Sequence, residues 1–486
     1  MSSSALVKGA RGGGTVIAGR VARLAIQLTG TVLFARLLSP EDFGLVAMVG
    51  VFTALGSLLR DFGISLAGIQ AKDLSKQQAS NLFWLSSLLS LLVAVGLVIL
   101  TPALSNLYSE PRLARIVPVL ALSLFIDGLQ AQIQVQIVRA MRFTLLTMSD
   151  LGAQISGLIA GLVLAVLGFG YWALVVQILT ASTTMFLVRF LVVRWVPLWP
   201  RRGFDSRRLF RIGGEFGLAQ LLAFVASNVD ALIVGSQMGA TKLGYYNRAF
   251  QLYQIPSSNI GDALTQVVIP TVRGATNEAK GGVSAVLLRI QFLLSLLMTW
   301  IYLVTAVTAD RLIPMVMGDQ WHEAILPFQI LALGGVFGTF GVVSYWTFIL
   351  TDQSRQLLRL HWITKPMIVV LLLVSVPYGI SGVAFAYVLG QALAWPINLI
   401  WLARTVGQNS WAFFLLGLRV VLAAAFSFLG GYAALSLMPP VSSVLYIISG
   451  MAIASLVYVL GIVLIPGGKR HLADAVNIGV KVLGRR

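Results

Sequence analysis

Arg20, Arg23 and Gln27 stand at i, i+3 and i+7 in an otherwise apolar stretch, so they share one face of a helix. Farther along, Arg60 and Asp61 interrupt a second apolar stretch, and Arg248 and Arg289 lie near the starts of two more. An arginine at the centre of a membrane helix costs about 2.5–3.5 kcal/mol even on the lenient insertion scale, so such residues need a compensating role. A guanidinium binds phosphate oxygens in bidentate fashion and stays charged when desolvated, which suits a set of inward-facing arginines to a diphosphate. The competing use of Arg20, Arg248 and Arg289 is to snorkel to the headgroups, whereas Arg23 and Arg60 sit deeper. For Arg60 and Asp61 it is to pair with other ions and hold helices together.

The acidic residues of the apolar stretches are Asp61, Asp127, Asp150, Glu215, Asp230 and Asp262, the last in a polar stripe with Asn259 and Gln266. Of these, Asp61, Asp127, Glu215, Asp230 and Asp262 are the candidates for binding Na⁺ or H⁺ in a coupled transporter. Hydrogen bonding between helices is the other use, and it also suits Asn228 and the series Gln130, Gln132, Gln134 and Gln136. Enzyme signatures are missing: there is no Asp-x-Asp, Gly-x-Ser-x-Gly, Walker loop or His-Glu-x-x-His. Gly168-Phe-Gly-Tyr-Trp-Ala173 fits a dinucleotide pattern, but it falls in a tight turn between two apolar stretches with no preceding strand. With no cysteine, and with His322, His361 and His471 far apart, no disulfide, metal site or cofactor is expected. Aromatic residues such as Trp300, Trp321, Trp346 and Trp401 are expected mainly at the membrane interface.

The elements that must position these residues follow from composition. The 486 residues are 58% hydrophobic and 11% charged, more apolar than any soluble core of this length requires. Stretches long enough to cross a bilayer fall at 15–38, 45–70, 82–105, 113–136, 145–168, 171–195, 212–238, 248–272, 283–308, 325–350, 362–379, 380–403, 413–437 and 441–465. Lipid satisfies no backbone polar group, and these runs are too long for barrel strands, so the fold class is all-α: a polytopic membrane protein of about 14 transmembrane helices. The net charge of +18 gathers in alternate short loops, which places both termini in the cytoplasm and makes nucleic acid a poor partner. The basic, Gly- and Ser-rich residues 1–14 run into Arg20 and Arg23 rather than a signal-peptide core, so the N-terminus is expected to be retained.

The most basic connection, 197–211, reads as a cytoplasmic linker between a first group of helices, 1–196, and a second, 212–404. Residues 405–466 supply two additional helices, and 467–486 reads as an amphipathic tail on the cytoplasmic leaflet. An internal echo supports the division. Val32-Leu33-Phe34 and Asp42-Phe43-Gly44-Leu45 align with Leu232-Ile233-Val234 and Lys242-Leu243-Gly244-Tyr245 at a constant offset of 200 residues. Repeats of this kind build transporters whose substrate site lies at the repeat interface, and both copies run in the same direction.

Five passages then carry a resemblance: Phe34-Ala-Arg-Leu-Leu-Ser-Pro-Glu-Asp-Phe-Gly44, Arg60-Asp-Phe-Gly-Ile-Ser65, Arg139-Ala-Met-Arg-Phe143, Asn228-Val-Asp-Ala-Leu-Ile-Val-Gly235 with Leu243-Gly-Tyr-Tyr246, and Met317-Gly-Asp-Gln-Trp321. In order and spacing the chain resembles the bacterial polysaccharide-transporter family, the O-antigen and exopolysaccharide flippases, of the superfamily that includes the multidrug and toxin extrusion antiporters. The resemblance implies two six-helix bundles plus two C-terminal helices working by alternating access in the bacterial inner membrane. The implied substrate is an undecaprenyl-diphosphate oligosaccharide, handed on to a polysaccharide polymerase and its co-polymerase. It also implies cavity arginines in the first, second and eighth helices, where Arg20, Arg23, Arg60 and Arg248 stand, with Gln27 on the same face as the first two. The alternative within transport is a Na⁺- or H⁺-coupled multidrug cation antiporter. A membrane glycosyltransferase or polymerase would need a catalytic outer loop longer than the longest expected here, at about 309–324.

Overall fold

A computed structural model of the chain describes residues 3–61, 64–70, 74–201, 207–275, 282–407, 409–437 and 442–464, and among them every regular element is a helix. The first to fifth are α1 (Ser3–Leu37), α2 (Pro40–Asp61), α3 (Ile64–Gln70), α4 (Lys76–Ile99) and α5 (Thr101–Tyr108). Next come α6 (Leu113–Arg139), α7 (Phe143–Val166), α8 (Trp172–Val193), α9 (Arg207–Pro256), α10 (Asp262–Ala275) and α11 (Gly282–Val307). The series ends with α12 (Ala309–Met317), α13 (Ile325–Leu350), α14 (Ser354–Ser375), α15 (Gly379–Val406), α16 (Ser410–Ser436) and α17 (Ser443–Leu464). Among the described residues ten stretches are long and apolar enough to cross a bilayer, and one of them, Arg355–Val406, holds both α14 and α15. The all-helical membrane architecture expected from composition is what the chain forms.

Local sequence explains the boundaries. α2 opens on Pro40 with Glu41 and Asp42 in its first turn, and Ser39 and Asp42 exchange capping hydrogen bonds of 3.0 and 3.2 Å. Ser75 and Gln78 form the same reciprocal cap on α4. Within the stretch expected at 45–70, α2 runs to Asp61 and α3 begins at Ile64, with residues 62–63 outside the described ones, and Asp61 accepts from the backbone and hydroxyl of Ser65. Between the spans expected at 212–238 and 248–272 the break is a single residue: Gly239, at φ +82°, turns the chain within α9, a conformation that glycine adopts without a steric cost. After Pro256 a π-helical turn, Ser257–Gly261, leads into α10.

The chain divides into two compact units, Met1–Gly244 and Tyr245–Arg486. Within the first, α6 packs on α2, α3, α4 and α8, and small residues set the approach of the helices. A Cβ on Gly128 would lie 1.8 Å from Ser90 Oγ, and one on Gly157 2.6 Å from the Gln177 carbonyl. The linker expected at 197–211 begins strapped to α4. Trp84 Nε1 donates to the Leu198 carbonyl at 2.9 Å, the Leu198 amide donates to Ser80 Oγ at 2.9 Å, and Trp84 stacks on Trp199. The expected amphipathic tail, 467–486, lies outside the described residues.

The echo in the sequence is realised as a reciprocal contact within the first unit. A Cβ on Gly44 would lie 1.7 Å from the carbonyl oxygen of Ala240, and one on Gly244 would lie 1.8 Å from that of Pro40. Residues 40 and 44 thus meet residues 244 and 240, each exchanging roles with its partner at the offset of 200, as in an isologous two-fold interface.

In the second unit α13 packs against α11 and α15, and α16 and α17 close over α11. There Leu303, Val304 and Val307 form one core with Ala423, Leu435, Ala454 and Tyr458. Trp321 and Trp346, expected at the membrane interface, are wholly buried, and Trp346 Nε1 donates to Thr265 Oγ1 at 2.9 Å. The Trp346 indole N–H is thus used inside the protein, and Trp321 packs edge-to-face with Tyr245.

Candidate functional site

The first unit holds an open cavity of about 690 Å³, with polar side chains reaching it from four directions. α2 and α3 bring Arg60, Asp61 and Ser65, α6 brings Asp127, Gln130 and Gln134, α7 brings Gln154, and α8 brings Gln177 and Ser182. The polar residues of α6 fall at 127, 130 and 134, the i, i+3, i+7 spacing that lays them along one face. Arg60 is the cationic lining residue. Its Nε and Nη1 are buried without a hydrogen-bond partner in the protein, while Asp61 and Asp127 both act on its charge. Gln154 Oε1 is likewise buried and unmatched. Buried polar atoms are normally paired, so donors and acceptors left uncommitted on residues that line one cavity mark a place suited to receive something.

Beside the cavity lies a filled network. Arg189 of α8, 2% exposed, donates from Nη2 to Asp150 Oδ1 at 2.5 Å, from Nη1 to Gln130 Oε1 at 2.6 Å and Gln134 Oε1 at 3.0 Å, and from Nε to Ser149 Oγ at 3.1 Å. The other oxygen of Asp150 accepts from Arg23. Gln130 turns its amide nitrogen to Asp127 Oδ1 at 3.0 Å, joining this network to the cavity. Arg189 did not stand out in sequence, although it is an arginine inside an apolar span, the same signal that marked Arg60.

The residues picked from sequence separate into groups. Arg60, Asp61 and Asp127 come together in the cavity. Arg23 is committed to Asp150, and Arg20 and Gln27, on the same helix, are exposed. Arg248 belongs to the second unit and donates from Nη1 to Gln251 Oε1 at 2.7 Å. Asp230 is buried, at 4% exposure. Glu215 and Asp262 lie outside the residues whose side chains are described. In this cavity one arginine stands with two carboxylates. Carboxylates are there because an isolated guanidinium in an apolar bundle requires counter-charge.

Residues 33–326 match the family described as polysaccharide biosynthesis protein. The chain belongs to that family. It is a multi-pass membrane protein of polysaccharide biosynthesis, in a family of transporters rather than enzymes. It is 23% identical to the lipopolysaccharide biosynthesis protein WzxC of Escherichia coli over 65% of this chain and 65% of that protein. It is 25% identical to the teichuronic acid biosynthesis protein TuaB of Bacillus subtilis over 80% of this chain and 81% of that one. The match thus spans a little under two thirds of WzxC and four fifths of TuaB. Among solved structures the fold is similar to the lipid II flippase MurJ in an inward closed conformation, with a TM-score of 0.72 at 13% identity, covering 92% of this chain and 98% of that one. An inward-facing multidrug transporter of the MATE family follows at a TM-score of 0.56 and 19% identity, over 77% of this chain and 92% of that one. At these identities the structures speak to the fold alone.

Proposed function

We propose that the chain is a flippase that carries undecaprenyl-diphosphate-linked oligosaccharide repeat units from the cytoplasmic to the outer face of the bacterial inner membrane. Family membership supports the general class of cargo. The observation that carries the site is Arg60, a desolvated guanidinium with two uncommitted nitrogens in a polar cavity. Its fork matches the oxygens of a diphosphate, whose charge would displace the weaker hold of Asp61 and Asp127. Those two carboxylates are the coupling groups: a proton or Na⁺ on either relieves Arg60 of its counter-charge and so favours phosphate there, and by linkage phosphate favours the cation. Arg20, Arg23, Gln27 and Arg248 are secondary contacts along the path. Both termini face the cytoplasm, and the released repeat unit passes to a polymerase. The cycle runs by alternating access, with the lipid tail remaining in the bilayer.

The test is Arg60→Ala in a strain that depends on this chain for polymer export. Export is lost, lipid-linked repeat units accumulate on the cytoplasmic leaflet, and the protein inserts at normal levels. Unchanged export would remove Arg60 from the mechanism. Drug resistance conferred by the chain, without any effect on lipid-linked intermediates, would assign it to cation antiport.

A further inference from the structure

The second unit encloses a polar cavity of its own, about 640 Å³, within the ~300–1,000 Å³ usual for small-molecule sites. We propose that it binds an acidic sugar, with the ammonium of Lys365 pairing with the sugar carboxylate. This rests on the flippase reading only in that the acidic sugar would belong to the carried oligosaccharide.

Charge argues first. His361 and Lys365 line the cavity one turn apart on α14, and none of its described lining residues is acidic. Among the described residues Lys365 makes no ion pair. A lysine at membrane depth costs about 2.5–3.5 kcal/mol on the insertion scale, and one facing a cavity whose described lining holds no carboxylate is suited to an anion from outside.

The rest of the wall is suited to a sugar ring. α15 lays Tyr387, Gln391 and Asn398 along one face, at i, i+4 and i+11. Tyr253, Gln254, Ser257 and Ser258 also line the cavity, the ring of Tyr253 meeting that of Tyr387 edge-on at 6.3 Å. A sugar presents an apolar ring face, which packs on an aromatic side chain, and a belt of hydroxyls, each both donor and acceptor. Amides and hydroxyls meet that belt in either sense. The π-helical turn Ser257–Gly261 forms part of this wall, a departure from α-helical winding that is frequent at functional sites.

The same features discriminate among anions. A diphosphate carries more than one charge and is matched by guanidinium forks or rows of backbone amides. Here there is one ammonium, a compact point charge, which fits a monoanion such as a uronate.

The experiment uses the full chain in lipid nanodiscs, with a uronate tetrasaccharide and its uncharged methyl ester as probes. The acid is expected to bind at least tenfold more tightly than the ester. Lys365→Gln removes that preference, Lys365→Arg keeps it, and both variants are checked for unchanged thermal unfolding. Arg60→Ala leaves uronate binding intact, so the two sites fail separately: normal export by that variant would overturn the Arg60 assignment and leave this one standing. Equal binding of acid and ester, or an acid preference that survives Lys365→Gln, would overturn the proposal. So would displacement of the uronate by pyrophosphate at equal or lower concentration, which would assign the cavity to a phosphate.

Discussion

Gly44→Ala adds one methyl group at the reciprocal contact, where its carbon would start 1.7 Å from the Ala240 carbonyl oxygen and 2.5 Å from the carbonyl carbon. Non-bonded heavy atoms rest at roughly 3.5–4 Å, so the two backbones must part by about 1.5–2 Å. The obstacle is backbone and cannot rotate away. Overpacking of this kind costs about 1–3 kcal/mol, so if the proposed alternating access parts these segments, the parted state gains some 5–150-fold. The chain has no cysteine, so a single Ala240→Cys reports cleanly. Ala240 is 8% exposed, so a maleimide reaches the thiol only when the contact parts. Labelling should accelerate by that 5–150-fold factor in Gly44→Ala and in Gly244→Ala. The double variant should add little, because either methyl alone already separates the same two segments. Unchanged labelling in both single variants would refute the contact as a pair of close backbones that must come apart.

Two further outcomes follow from the charged networks. Arg189→Met leaves Asp150 short of a partner and strips four hydrogen bonds from the core of the first unit, so thermal unfolding in detergent should show a loss of about 3–5 kcal/mol, whereas Arg23→Gln, whose side chain is half exposed, should cost under about 1 kcal/mol. Glu110 lies in the connection between α5 and α6, where its hydrogen bonds with Arg112 hold its carboxyl below the ordinary value of 4.5. Its contribution is therefore complete above that value and lost as pH falls through the lowered one. Glu110→Gln should remove a small stabilisation, under about 1 kcal/mol for a partly exposed pair, from unfolding at neutral pH, and progressively less as the pH falls below 4.5.

The fold was legible because lipid leaves few choices: a run of apolar residues of sufficient length must be a helix, and the charges of the loops divide one from the next. Boundaries were harder wherever a single residue does the work of a loop. Gly239 looks like any glycine in an apolar run, and its positive φ becomes visible only once Ala240 is seen against Gly44. For the site, sequence gave the residue types but not their company. Arg20, Arg23 and Gln27 share a face as periodicity requires, yet Arg23 is taken by an aspartate 127 residues away. A single lysine in an apolar span, Lys365 gains meaning only where α15 and the turn after Pro256 bring amides and tyrosines to the same cavity.

What distinguishes Arg60 from its neighbours is the way the counter-charges are divided. Asp150 is shared between Arg23 and Arg189 through its two oxygens, and Arg189 also draws on Gln130, Gln134 and Ser149. Its guanidinium is therefore committed on every nitrogen. Gln130, having given its oxygen to Arg189, has only its amide hydrogens for Asp127, which fixes the carboxylate at the cavity wall as an acceptor. Arg60 is left with attraction from Asp61 and Asp127 but with Nε and Nη1 unbonded. A guanidinium that is electrostatically held yet not hydrogen-bonded costs less to desolvate than a bare one, and it retains two donors for an incoming anion. The satisfied Arg189 network thereby keeps Arg60 available, and a loss of Arg189 should be felt at Arg60 through the turning of Gln130 and Asp127.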